Sequence, residues 1–201
     1  MRKLALRGLV VAVVIGVLGV GSYAIAGGGS KSFKGSPLNG YEENPDISTI
    51  GTGSFEARLS RDGTSLHYKL SYSGLEGNVA QAHVHFGKRA INGGISYFLC
   101  SNLTTPAPPP GTPACPGTTS GTVEGDIEAA DVIGPGATVG PPPTAGQGIE
   151  PGNLAEILAA MRAGHAYANV HTSKWPGGEI RAQLNDRHFR GHGDHKKGDD
   201  N

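Results

Sequence analysis

The sequence predicts an all-β fold, an antiparallel Greek-key sandwich or barrel of about seven or eight strands, with one short helix before the last two strands. Three observations predict it. Short segments of alternating apolar and polar residues recur along the chain. The 33 Gly and 14 Pro residues are typical of short strands joined by many turns. A single segment near the end has convincing helical periodicity, so the remaining order must come from strands.

The first 26 residues have the organisation of a secretory signal peptide. Basic residues lie within the first seven positions, Leu9–Val20 is apolar, and Ala24-Ile25-Ala26 predicts cleavage after Ala26. The apolar stretch is shorter than a membrane span of about 20 residues. We therefore expect a secreted or periplasmic protein, attached to a membrane only if this segment stays uncleaved.

The rest of the chain divides into three parts. Residues 27–32 form a flexible lead-in, residues 33–184 form one domain, and residues 185–201 form a charged, His-containing tail that we expect to be disordered. Cleavage after Ala26 leaves 14 Lys and Arg residues against 17 Asp and Glu residues. A nucleic-acid partner normally requires a basic patch or stripe, so we do not expect one.

Seven strands are predicted in order, over residues 51–59, 66–72, 79–86, 95–100, 120–127, 166–171 and 179–184. The turn before the second strand contains Asp62-Gly63, which is typical of a tight hairpin. The helix is predicted over residues 153–163, because Asn153 is a good N-cap and Gly164 follows the last apolar position.

Cys100 and Cys115 flank a Pro-rich segment that has little means of packing itself. An exported chain lies where disulfides persist, and no CxxC spacing suggests a metal. We therefore predict a Cys100–Cys115 disulfide, which stabilises a loop of this size by about 3 kcal/mol.

Alternation places the chemically interesting side chains on one face. In strand 79–86, Ala82 and Val84 must face the core, so His83 and His85 point to the outer surface of the sheet. The same rule turns polar residues of the last two strands outward. These residues form a candidate binding face of Tyr167, Asn169, Glu179 and Arg181, in which Glu179 and Arg181 are expected to form a same-face ion pair.

The two histidines also suggest a metal site. Residues at i and i+2 of a strand have Cα atoms about 6.5 to 7 Å apart, so His83 and His85 can share one ion. His171 would complete a three-imidazole site suited to copper or zinc, provided that the three sets of nitrogens converge within about 4 Å. Surface histidines in strands are also common, and a solvated polar face is the simpler interpretation.

Two motifs and an opening segment resemble the CHRD domain family. They are "AHVHFG" (82–87), "YANVHTSKWPGGEIRAQL" (167–184) and "LNGYEENP" (38–45). The resemblance covers nearly all of residues 33–184 and implies an all-β sandwich or barrel. In chordin such domains belong to an extracellular antagonist of bone morphogenetic proteins, whereas microbial members have no settled activity. Nothing in this chain favours growth-factor binding.

The histidine pattern also resembles that of copper,zinc superoxide dismutase, at the level of fold alone. That resemblance implies His83, His85 and His171 as copper ligands. The chain lacks a bridging histidine and a run of zinc ligands after the HxH strand. Dismutase activity is therefore not implied.

The sequence predicts an exported, non-catalytic binding module for an unknown protein, glycan or metal ligand. It contains no GxSxG motif, no CxxC motif and no phosphate-binding glycine loop. The alternative is a copper- or zinc-binding protein that uses His83, His85 and His171, with or without redox activity. A third interpretation is structural, with Asn169, His171 and Arg181 hydrogen-bonded to the loops.

Overall fold

The computed structural model describes residues 31–135 and 146–186. The predicted signal peptide lies outside these residues, as do residues 27–30 of the predicted lead-in and residues 187–201 of the predicted tail. Within the described residues, no helix combines the length and the hydropathy that a membrane crossing requires.

The described chain forms nine strands, one helix and two short 3₁₀ turns at Gly40–Glu42 and Ala129–Asp131. In chain order the strands and the helix are β1 (Ser32–Leu38), β2 (Thr52–Leu59), β3 (Ser65–Ser73), β4 (Val79–Phe86), β5 (Gly94–Ser101), β6 (Gly121–Glu128), α1 (Leu154–Arg162), β7 (Ala166–Thr172), β8 (Ile180–Gln183) and β9 (Asn185–Asp186).

The strands form two antiparallel sheets packed face to face. The five-stranded sheet has the order β6-β3-β2-β1-β9, and the four-stranded sheet has the order β5-β4-β7-β8. The chain leaves β3 for the four-stranded sheet, forms β4 and β5 there, and returns as β6 beside β3, which is a Greek-key connection. The described residues thus form a sandwich and not a closed barrel, and the predicted all-β class is confirmed.

All seven predicted strands are present, and β1 and β9 are additional. The pattern of β1 is hidden because Gly35 fills an inward position without a side chain and the register shifts between Gly35 and Leu38. Gly35 is required there, since a Cβ atom would lie 2.8 Å from Leu184 Cδ2. The sheet therefore begins at Ser32, the last residue of the predicted lead-in, and β9 takes up the first two residues of the predicted tail.

The core lies between the sheets and is closed on one side by α1. The helix begins as predicted, with Asn153 Oδ1 accepting a hydrogen bond from Glu156 N at 3.3 Å. Its apolar stripe, which includes Ile157 and Met161, is buried. The two sheets are also joined by Tyr68 Oη, which donates to Leu99 O at 2.6 Å. Buried side chains from both sheets and the helix thus form one continuous core.

The predicted disulfide between Cys100 and Cys115 is confirmed. Asn102 fixes the same loop from inside, because its amide donates to Val79 O and Cys115 O while its Oδ1 accepts from Cys115 N. The Pro-rich segment is thereby held against the end of β4 and β5.

Candidate functional site

The outer face of the four-stranded sheet is polar, as alternation predicts. In register, His83 lies opposite Asn169 and Asn169 lies opposite Arg181. In the neighbouring row His85 lies opposite Tyr167. His171 follows on the same face of β7. The sheet therefore brings both histidines of β4 beside the strand that contains His171, which the sequence could not show.

This face points away from the apolar core as expected, but it is not a solvated surface. His83 is 0% exposed, His85 7% and His171 8%, and Arg181 is equally inaccessible. Loops cover the face, because the segments before β2, after β4 and after β7 all contact it with hydrogen bonds. The site is outside the apolar core and yet shielded from solvent.

The three imidazoles converge. One ligating atom from each of His83, His85 and His171 lies within 4.8 Å of the other two. Three nitrogens bound to one zinc ion at 2.0 to 2.1 Å lie about 3.4 Å apart, so the rings must close by roughly 1 to 1.5 Å to bind an ion. This spacing exceeds the limit of about 4 Å expected from the sequence, so the three rings are close together but not at metal-binding distance.

Backbone carbonyls orient two of the rings. His85 Nδ1 lies 3.0 Å from Gly93 O, and His171 Nδ1 lies 2.9 Å from Pro176 O. A carbonyl oxygen only accepts hydrogen bonds, so each Nδ1 carries the proton and each Nε2 presents a lone pair. Metal-binding histidines are commonly oriented in this way by a second hydrogen bond.

The remaining ring nitrogens have no hydrogen-bond partner among the described residues. They are Nε2 of His85, Nε2 of His171 and both nitrogens of His83. The His83 ring packs edge-on against Phe98 with ring centroids 4.4 Å apart. Buried polar atoms are normally paired, so three adjacent imidazoles with unpaired nitrogens require an explanation.

Burial keeps the three histidines neutral. It lowers the pKa of His85 to about 3, with the charges of His171 and Arg181 lowering it further. Burial also lowers the pKa of His83 and of His171, and the neighbouring imidazoles add to the effect at His83. Neutral imidazole is the form that binds metal ions, so the cluster is in its ligating form at neutral pH.

Tyr167 and Arg181 form a stack beside the cluster. The Tyr167 ring lies parallel to the His85 ring with centroids 4.8 Å apart, and Arg181 Cζ lies 3.6 Å from the other side of the Tyr167 ring. The Arg181 guanidinium donates to Ile91 O at 3.0 Å and to Lys88 O at 3.4 Å. Arg181 therefore holds the loop whose Gly93 carbonyl orients His85.

Glu179 does not pair with Arg181, contrary to the sequence-based expectation. Its buried carboxylate accepts hydrogen bonds from Thr49 Oγ1 and Thr172 Oγ1, each at 2.8 Å, and from Glu76 N at 2.6 Å. Thr49 and Glu76 lie in two separate loops, and Thr172 is the last residue of β7. Glu179 thus joins two loops to the end of β7 at one end of the sandwich.

Among the described carboxylates, Glu43 has the largest electrostatic effect on Arg181. Sequence reasoning missed this residue. Asn169 Nδ2 donates to both carboxylate oxygens of Glu43 at 3.0 Å. Burial raises the pKa of Glu43 to about 7, although Asn169 and Arg181 act to lower it. Glu43 lies within the "LNGYEENP" segment, but nothing in the sequence distinguishes it from the adjacent Glu42.

A family model described as the CHRD domain matches residues 35–184 of the chain. No curated protein and no solved structure matches the chain itself.

Proposed function

The chain belongs to the CHRD domain family, and from this premise we propose that the domain is an extracytoplasmic binding module whose ligand is one transition-metal ion. The proposed ligands are His83, His85 and His171. The proposal unites the two predictions made from the sequence, a binding module and a copper or zinc site, in a single function.

The observation that supports the proposal is the set of unpaired, buried and oriented imidazole nitrogens. An unsatisfied polar atom costs roughly 1 to 3 kcal/mol when it is buried. The cluster contains four such nitrogens on three adjacent rings. Two rings already have the tautomer that directs Nε2 towards a ligand, which lowers the free-energy cost of assembling a metal site.

Accessibility favours an ion over a protein or a glycan. A macromolecular ligand needs side chains that it can touch, whereas none of the three histidines is more than 8% exposed. The covering loops are also held by hydrogen bonds from His85, His171 and Arg181. A single ion needs no larger opening than one produced by small loop fluctuations.

Export is supported by two observations. The Cys100–Cys115 disulfide is the kind of bond that persists outside the reducing cytosol. The first 26 residues have the three parts of a signal peptide, namely a basic start, an apolar stretch and a small-x-small end.

Metal titration tests the function. We would replace the tail histidines His188, His192 and His195 by Asn, so that the tail cannot contribute, and titrate this protein with Zn(II), Cu(II) and, anaerobically, Cu(I). We expect one ion per chain with a dissociation constant below micromolar. In ¹⁵N spectra of the imidazoles, binding should shift Nε2 of His85 and His171 and leave Nδ1 protonated.

The matched variants are His85→Ala and His67→Ala. His85→Ala should weaken binding by at least about a hundredfold, because it removes one of three ligands, while the exposed His67 on the other sheet should have no effect. If no metal binds with one-to-one stoichiometry, or if both variants bind like the parent, the proposed function is wrong.

A further inference from the structure

Resting on the proposed metal site, we infer that it selects a monovalent ion, Cu(I), over divalent zinc, and that Arg181 is the residue that determines this selectivity. The inference follows from the number of ligands, from their charge and from the position of the buried guanidinium.

The ligand set fits Cu(I) in number. Among the described residues the cluster comprises three histidines and no carboxylate or thiolate. Structural zinc sites almost always have four protein ligands, and catalytic zinc sites keep a fourth position for water. Cu(I) is satisfied by two or three ligands in a linear or trigonal arrangement. Three shielded imidazoles therefore complete its coordination without a water molecule.

The charge of the site is equally decisive. Neutral imidazoles cancel none of the ion's charge, so the bound ion retains its full charge in a buried place. Arg181, 1% exposed, adds a positive charge on the far side of the Tyr167 ring from His85. Its two backbone acceptors are carbonyls of the covering loop, which carry no net charge.

Two described carboxylates, Glu43 and Glu42, act against this positive field, with the larger effect from Glu43, and Glu42 is also paired with Arg89. Glu43 interacts electrostatically with Arg181, but its hydrogen bonds come from Asn169, the residue between Tyr167 and His171 on β7. The guanidinium and the His85 ring both pack against the Tyr167 ring, so Arg181 opposes a positive charge placed at His85. A second unit of charge on a bound ion meets the same opposition.

The expected size of the effect follows from Coulomb's law. The two stacking distances place the guanidinium on the order of 8 Å from the His85 ring. With an effective dielectric constant of about 20, one additional positive charge at that distance lowers affinity about thirtyfold. Removal of the guanidinium charge should therefore reduce the preference for Cu(I) over Zn(II) by about thirtyfold.

The experiment compares Arg181→Met with Arg181→Lys in the protein whose tail histidines are replaced by Asn. Cu(I) affinity is measured anaerobically with ascorbate and a chromophoric Cu(I) chelator, and Zn(II) affinity with a zinc indicator, both at pH 8. The parent protein should bind Cu(I) at least thirtyfold more tightly than Zn(II). Arg181→Lys should keep most of that preference, and Arg181→Met should reduce it by about thirtyfold.

Two further variants test the inference without changing Arg181, in case Arg181→Met fails to fold. Glu43→Gln removes an opposing negative charge and should increase the preference for Cu(I), in the direction opposite to Arg181→Met. Arg58→Met removes an exposed positive charge from the other sheet and should leave the preference unchanged.

The outcomes separate the two proposals. Tighter binding of Zn(II) than of Cu(I) by the parent, equal preferences in the Met and Lys variants, or an unchanged preference in Glu43→Gln overturns the selectivity inference and leaves the metal site standing. Failure of the parent to bind either ion overturns both.

Discussion

The outward faces of the two sheets follow the same alternation, but one face is exposed to solvent and the other is covered by loops. On the five-stranded sheet, Lys34, Glu56, Lys69 and Glu124 form one row across four strands, with Lys69 Nζ 2.6 Å from Glu124 Oε1 in solvent. On the four-stranded sheet, the corresponding positions hold histidines, Asn169 and Arg181, and loops bury them.

Alternation thus determines the face of the sheet on which a side chain lies, but not whether loops cover that face. The exposed row uses charges, which are well solvated and cost little in water. The covered face uses imidazoles, an amide and one guanidinium, whose polar atoms must be paired by loops or by a ligand. Four measurements test this contrast between the two faces.

Acid should destabilise the covered face more than any single substitution. The pKa of His85 is about 3 in the folded protein and near 6.5 in the unfolded chain, so below pH 6.5 the unfolded state binds more protons. Stability of the metal-free protein should therefore fall as pH falls from 6.5, by about 1.4 kcal/mol per pH unit for each histidine that stays neutral. Denaturant unfolding between pH 7.5 and 4.5 measures it.

Glu43 provides the control for that pH dependence. Its pKa is raised from 4.5 to about 7, so the folded state binds the extra proton between those values, and this contribution increases stability as pH falls. Glu43→Gln should make the acid destabilisation steeper, and His85→Phe should make it shallower. A flat profile in the parent protein would contradict the burial of the histidines.

Removal of Glu179 should be the most damaging substitution of a single carboxylate. Glu179→Ala leaves its hydroxyl and backbone donors without an acceptor, and we expect a loss of about 3 kcal/mol or more in the free energy of unfolding. The matched variant on the exposed face is Glu124→Ala. If both variants lose the same stability, Glu179 does not join the loops as described.

Replacement of His83 by Leu should stabilise the metal-free protein while it destroys metal binding. An apolar side chain removes two unpaired buried nitrogens, and we expect a gain of about 1 to 2 kcal/mol. His67→Leu, on the exposed face, should give no such gain. Loss of stability in His83→Leu would show that the imidazole has a structural partner and would weaken the case for a ligand.

The smallest effect is expected for the exposed row. Lys69→Gln and Glu124→Gln each break an ion pair that water already screens. We expect their unfolding midpoints to match the parent within experimental error. A clear shift in either midpoint would mean that the exposed face is more than a solvated surface.

The sequence predicted the fold because its signals are local. Alternation located seven strands, Asn153 located the start of the helix, and two cysteines around a Pro-rich segment located the disulfide. It also identified His83, His85 and His171 as a group, from alternation and from a family resemblance.

It could not predict the burial of that group, because burial depends on loops that arrive from distant parts of the chain. Glu43 lies 126 residues from Asn169 in sequence, and no periodic pattern links them. Glu179 and Arg181 were paired by their spacing on one strand. Glu179 precedes β8, however, and its carboxylate accepts hydrogen bonds from two loops and from the end of β7, whose positions no local pattern predicts.

The pairing of β1 with β9 has a consequence for how this domain combines with others. Phe33 lies opposite Asp186, so the two ends of the sandwich emerge as neighbours at one edge of the five-stranded sheet, in the sheet opposite the histidines. A short linker can therefore join the ends in a circular permutant, or the whole domain can be inserted into a surface loop of a host protein. In either arrangement the fusion junction lies in the sheet that does not contain the three clustered histidines.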